Sequence, residues 1–234
     1  MNLFYTKNFS ETNNELSEVE AKHCSRVLRK KDGDTIQVTN GEGLLFEGQV
    51  ENVGKKVFVN VKQTQVVEKT RDYYLHIAIA PTKNMDRLEW FLEKCTEIGI
   101  DEISLIQTHH SERKRVRFDR VEKIVLSATK QSHQMHLPKC NDLVSFKQFI
   151  EQDFSDYKTL ICHCEQDFEK KHLKSIQKAN KYLILIGPEG DFSVQEIEKA
   201  YQNKFEGLHL GDNRLRTETA GIVACQNIQY SHYD

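Results

Sequence analysis

The sequence predicts an α/β protein in two parts, a small β-rich module over 1–70 and an α/β domain over 71–234. Three observations carry this. Short alternating runs joined by tight turns fill the first part. A polar stretch over 63–72 separates the parts. From Tyr73 onward, buried-type strands alternate with helical patterns, which gives a parallel sheet with helices on both faces.

In the first part, Ser17-Glu18-Val19-Glu20 has capping-box spacing and opens a helix that runs to about Leu28. Lys31-Asp32-Gly33-Asp34 makes a turn. Thr35-Ile36-Gln37-Val38-Thr39 alternates as a strand, a second strand over 44–50 follows the Asn40-Gly41 turn, and Val57-Phe58-Val59-Asn60-Val61 is a third. Short strands with tight turns imply a small β-barrel.

In the second part, 75–80 is a strand ended by Pro81. Asn84 caps a helix carrying Leu88, Phe91, Leu92, Cys95 and Ile98 at helical spacing, and Gly99 stops it. A strand over 103–106 and a helix over 119–132 follow. Then come a strand over 159–162, a polar helix near 168–180, and the most apolar strand, 182–186. Ser193-Val194-Gln195-Glu196 is a second capping box. A strand over 205–210 and a helix over 218–230 complete the pattern.

Composition narrows the function classes. With 234 residues, 38% hydrophobic and 29% charged, the chain can bury real cores and is not of disordered composition. No apolar run approaches the roughly 20 residues needed to span a bilayer. Met1-Asn2-Leu3-Phe4-Tyr5 lacks the regions of a signal peptide, so a cytoplasmic protein without a membrane partner is expected. Six scattered cysteines without C-x-x-C spacing read as thiols. His163 between Cys162 and Cys164 lacks a second ligand pair, so no metal is expected. A net charge of −2 argues against a generally basic nucleic-acid binder, but local patches set phosphate affinity. Two runs qualify: Lys22, Arg26, Arg29, Lys30 and Lys31, and Arg113, Lys114, Arg115, Arg117 and Arg120. Each also fits a solvated face. His133 and His136, at a helix end marked by Pro138, read as solvent or RNA contacts.

Two loops carry the chemistry. Gly187-Pro188-Glu189-Gly190-Asp191-Phe192-Ser193 leaves the strongest strand for a capped helix. Gly211-Asp212-Asn213-Arg214-Leu215-Arg216-Thr217 leaves the next strand for the last helix. In open α/β sheets, ligands bind beyond the carboxyl ends of the strands, and glycines there allow close backbone approach. Neither loop is a G-x-G-x-x-G or P-loop motif, so a smaller nucleotide-like ligand fits better than a dinucleotide or triphosphate.

Gly187-Pro188-Glu189-Gly190, with Leu210-Gly211 and Leu215-Arg216-Thr217-Glu218-Thr219-Ala220, resembles the cofactor loops of the RsmE family of methyltransferases. His23, Val27-Leu28-Arg29 and Gly33-Asp34 resemble the family's N-terminal motif. Lys83, Met85-Asp86 and the run from Lys94 to Gly99 resemble its first catalytic helix, and Ser111-Glu112-Arg113 with Gln131-Ser132 its middle. The resemblance spans nearly the whole chain. It implies an N-terminal PUA-like β-barrel and a C-terminal SPOUT α/β domain with a trefoil knot, a topology that pattern reading alone rejects.

The resemblance further implies a homodimer that uses S-adenosyl-L-methionine (SAM) to methylate N3 of a uridine in 16S ribosomal RNA of the small subunit, with no DNA partner. By position, SAM would meet Ile186, Gly187, Glu189, Gly190, Leu210, Gly211, Leu215, Arg216, Thr217 and Ala220, with His163, Cys164 and Glu165 as a third wall. Arg216 would polarise a uracil carbonyl, and Glu218 or Glu189 would assist proton loss. RNA would meet Lys22, Arg26, Arg29, Lys30, Arg113, Arg115, Gln131 and Ser132. The sequence departs from the family at Asp191, where a glycine is usual, at Asn213-Arg214, and around Gln134. Alternatives are methylation elsewhere on RNA, such as ribose 2′-O, a non-catalytic RNA-binding assembly factor, or a small-molecule α/β enzyme, which leaves the barrel unexplained.

Overall fold

A computed structural model describes residues 2–233. The chain forms two compact units, the first reaching Thr70 and including Thr129–Leu137, the second made of Arg71–Ala128 with the remainder from Pro138.

In the first unit, β1 (Leu3–Tyr5), β2 (Thr35–Thr39), β3 (Leu44–Val53) and β4 (Lys56–Val66) form one sheet in that order. β1 pairs parallel to β2, and the other pairs are antiparallel. Alternation places Ile36 and Val38 inward, where they meet Phe4, Phe9, Phe46, Val50, Val57 and Val59. Gly48 sits at a register shift in β3, where a Cβ would come within 2.5 Å of the Asn60 carbonyl oxygen. α1 (Glu18–Lys22) is capped by the Ser17 hydroxyl and continues as a π-helical turn over His23–Val27. The segment 129–137 is held to this unit by Lys130 on Glu20 at 2.5 Å and by the Glu42–His136 bridge. His136 Nε2 also bonds the Val67 carbonyl at 2.8 Å. His136 is thus a structural donor and not the solvent or RNA contact its sequence position predicts.

The second unit carries β5 (Tyr74–Ile79), α2 (Met85–Ile98), β6 (Glu102–Gln107), α3 (Phe118–Gln131), β7 (Lys139–Ser145), α4 (Phe146–Ile150), β8 (Lys158–Cys162), β9 (Lys170–His172), β10 (Lys181–Ile186), α5 (Val194–Gln202), β11 (Glu206–His209) and α6 (Thr217–Ser231). The last three residues of α3 count with the first unit. The sheet has seven strands in the order β7-β6-β5-β10-β8-β11-β9, and every pair is parallel. β10 is central, and all its residues from Tyr182 to Ile186 are buried. Ala78, Leu183 and Leu185 face a core with Phe146, Phe149 and Ile150 of α4 and Ile197 and Ala200 of α5. On the other face α2 and α6 pack so closely that a Cβ on Gly221 would meet the Phe91 ring at 2.4 Å.

The polar helix predicted near 168–180 is not formed. Lys170–His172 is instead an edge strand on β11, followed by a short 3₁₀ turn over Leu173–Ser175. An edge strand needs no apolar alternation, so nothing local separates it from a polar helix.

Candidate functional site

β10, β8 and β11 are neighbours in the sheet, and their carboxyl ends release three loops that wall one cavity of about 800 Å³. Its lining holds all thirteen predicted cofactor residues: His163, Cys164, Glu165, Ile186, Gly187, Glu189, Gly190, Leu210, Gly211, Leu215, Arg216, Thr217 and Ala220. A volume of this size suits a small organic ligand.

The loop after β10 is built by a turn in which Asp191 N–H bonds Pro188 O at 2.9 Å, with Asp191 itself left-handed at φ 63°. Buried Phe192 folds over Gly187, where a Cβ would meet the ring at 3.0 Å. The predicted capping box is present: Ser193 Oγ accepts from Glu196 N, and Glu196 Oε2 accepts from Ser193 N. The other Glu196 oxygen accepts from His109 N at 2.8 Å. Where this loop meets the one after β8, Asp191 Oδ2 accepts from Cys164 N at 2.7 Å.

The loop after β11 is more open. Gly211, at φ 129°, donates its N–H to His209 Nδ1 at 3.3 Å, and residues from Gly211 to Arg214 are exposed. Arg216 is the N-cap of α6 and makes no side-chain cap bond. The first turn of this 15-residue helix therefore presents amide donors and the positive end of its dipole beside Thr217 and Ala220.

The walls carry both charge signs, with Glu165, Glu189, Asp191 and Asp212 against Lys170, Arg214 and Arg216. Such a lining can take a zwitterion, cation and carboxylate at once. Burial, with Lys170 adding to it, pushes His163 down to about 4, so the ring is neutral near pH 7. Burial raises the Cys162 thiol, and burial with Asp191 beside it raises Cys164, so neither is a ready thiolate.

The three catalytic candidates do not share one place. Arg216 and Glu189 line the cavity. Glu189 Oε1 accepts from Lys83 N at 3.0 Å. Glu218 is outside the lining and buried, with Oε1 3.8 Å from Arg87 Nε on α2. One helical step of about 100° turns it off the face shared by Thr217 and Ala220.

The candidate RNA residues also divide. Arg113 donates Nε to Thr82 O at 3.0 Å and Nη2 to Lys83 O, so its guanidinium shapes the loop after β5. Arg115, Arg26 and Arg29 are exposed, and Lys22 pairs with Glu18. Lys30 is half-buried, its N–H on Cys24 O at 3.0 Å. Gln131 is exposed at the end of α3, and Ser132 Oγ reaches Thr129 O at 3.4 Å. The lining also takes in Pro188, Asp191, Asp212, Asn213 and Arg214 of the two loops singled out in the sequence, and Cys162, Gln166, Lys170, Leu208 and His209, which the sequence reading did not name as ligand contacts. Most adjoin predicted residues, and Lys170 arrives only through the misread edge strand.

The fold and site define a class, an α/β domain with a zwitterion-lined cavity at its strand ends, in a chain that also carries a small β module. The description "RNA methyltransferase domain" matches residues 69–229, and "RNA methyltransferase PUA domain" matches 16–61. A ribosomal RNA small subunit methyltransferase E of Buchnera aphidicola is 27% identical over 92% of this chain and 86% of its own length. One from Bacillus subtilis is 27% identical over 90% and 87%. Among solved structures, a protein of Porphyromonas gingivalis described as a probable rRNA-methyltransferase is 38% identical, with TM-score 0.91 over 99% of this chain and 98% of its own. A methyltransferase structure from Legionella pneumophila, in complex with the bound cofactor SAM, is 27% identical with TM-score 0.87 over 98% and 97%. The chain belongs to the RNA methyltransferase family, among the ribosomal RNA small subunit methyltransferase E (RsmE) proteins. Among the described residues, no helix is long and apolar enough to cross a membrane.

Proposed function

We propose that this chain transfers a methyl group from SAM to N3 of a uridine in the 16S RNA of the small ribosomal subunit, working in the cytoplasm as a homodimer. The observation that carries the reading is the gathering of all thirteen cofactor candidates in one cavity of a chain from this family. The charges of the lining fit SAM: carboxylates suit a sulfonium and an ammonium, and the basic residues suit a carboxylate. When bound, SAM supplies an electrophilic methyl group.

The protein's own part is to present N3 and manage its proton. N3 carries that proton near neutral pH, so it needs help to become a nucleophile. Arg216 donates to a uracil carbonyl and stabilises the anion that forms as the proton leaves. Glu189, with one oxygen fixed on Lys83 N, offers its other oxygen as the proton acceptor. Glu218 acts from behind, through Arg87, and takes no proton.

The reacting edge is hidden in a paired base, so the uridine is unpaired or flipped out. Lys22, Arg26, Arg29 and Lys30 position phosphates, as do Arg115, Gln131 and Ser132. Arg113 contributes by setting the loop after β5.

The test is methyl transfer from labelled SAM to small subunits that lack the modification, with free 16S RNA in parallel. N3-methyluridine at one site is the expected product. A ribose methyl instead, or SAM binding without transfer to either substrate, overturns the assignment.

A further inference from the structure

Asp191 stands where the family resemblance leads one to expect a glycine. Its backbone sits at φ 63°, a region that glycine adopts freely and that Asp tolerates better than most residues. The turn therefore does not require an aspartate. What the residue adds is a carboxylate, and both oxygens are engaged. Oδ2 accepts from Cys164 N on the loop after β8 at 2.7 Å, and Oδ1 accepts from Phe192 N at 2.8 Å. Its backbone carbonyl accepts from His110 Nδ1 at 3.0 Å, and its N–H bonds Pro188 O. One residue thus joins the loops that follow β6, β8 and β10.

A glycine would keep the Pro188 and His110 bonds and lose both side-chain bonds, the local one to Phe192 N and the one to Cys164 N on another loop. Beyond the last paired residues of the two strands, Cys162 and Ile186, that second bond ties the first glycine loop to the wall of His163, Cys164 and Glu165. We propose that Asp191 is a positioning residue for the cofactor: its carboxylate fastens the Cys164 wall to the first glycine loop and so sets the cavity's width before the ligand enters. The inference rests on the SAM reading above for the identity of that ligand.

Two substitutions separate the carboxylate from the turn. Asp191→Gly keeps the torsion and removes the fastening. Asp191→Asn keeps a tolerated torsion and an oxygen that accepts from Cys164 N. With the full chain, calorimetry should show SAM binding weakened about tenfold in D191G and within about threefold of the parent in D191N, the scale of one charge-assisted hydrogen bond. In methyl transfer, KM for SAM should rise more than kcat falls in D191G. Exchange of the Cys164 amide should quicken in D191G and not in D191N.

Parent-like binding in D191G overturns the proposal. So does equal weakening in both variants, which would assign the effect to charge and not to the fastening. Failure of the unsubstituted chain to bind SAM is a different result: it overturns the cofactor reading, and this inference with it.

Discussion

The two glycine loops wall the same cavity and are built in opposite ways. The loop after β10 is laced to its surroundings: Glu189 to Lys83, Asp191 to Cys164, and Glu196 to both Ser193 and His109. The loop after β11 leans on His209 through Gly211 N–H, and its tip is exposed. Their glycines differ to match. Gly187 is needed because Phe192 leaves no room, whereas Gly211 has nothing within 4 Å and is needed for its torsion. One wall is held by bonds to its neighbours, and the other is exposed at its tip.

The largest expected effect falls on the open loop. Arg216→Ala should lower turnover on the order of 100-fold, as loss of one charge-stabilising donor does, with SAM affinity changed far less. Single-turnover methyl transfer beside calorimetry checks this. Near-parent turnover would reduce the open loop to a cover.

The glycines give the next contrast. Gly187→Ala forces a methyl against the buried Phe192 ring and should cost about 1–3 kcal/mol of stability, visible as a lower Tm. Gly211→Ala meets no neighbour but must hold a positive φ. There the exposed loop should relax, so SAM affinity drops several-fold while Tm hardly moves. A shared Tm loss would mean both loops are equally built in.

Acid sharpens the comparison at the third wall. The folded His163 pKa, about 4, lies below the ordinary 6.5, so its neutral form stabilises the fold in full above 6.5. That contribution fades as pH falls from 6.5 toward 4. Thermal melts of His163→Asn and the parent should therefore converge over this window, and a gap independent of pH would sink the account. The smallest effect is in hydrogen exchange. Without ligand, amides of 189–193 should exchange more slowly than those of 211–216, and SAM should slow the second set more.

Much of this was legible because it is local. The Ser193–Glu196 box, the Asn84 cap and the Gly99 stop, at φ 108°, each follow from a few adjacent residues. Illegible parts depend on distant partners. β1 exists by pairing with residues 37–39, and β9 by pairing with 207–209. β7, whose Leu143 and Val144 are adjacent and make no alternating pattern, is a strand by its pairing with β6. The cavity was legible because strand ends and glycines announce it. Glu218 lies off the cavity lining because a motif gives proximity in sequence, while helix geometry decides which way a side chain points.

The position of β10 has a consequence for how the chain comes to be folded. Residues 181–186 slot between β5, made about a hundred residues earlier, and β8. Until they arrive, β5 and β8 face each other across an unfilled gap with apolar edges. Contacts so remote in sequence make folding slow and leave those edges open to wrong partners meanwhile. Two of the cavity's three walls lie beyond residue 186, so a nascent chain stopped before it could pair only β5, β6 and β7 and would have no working site.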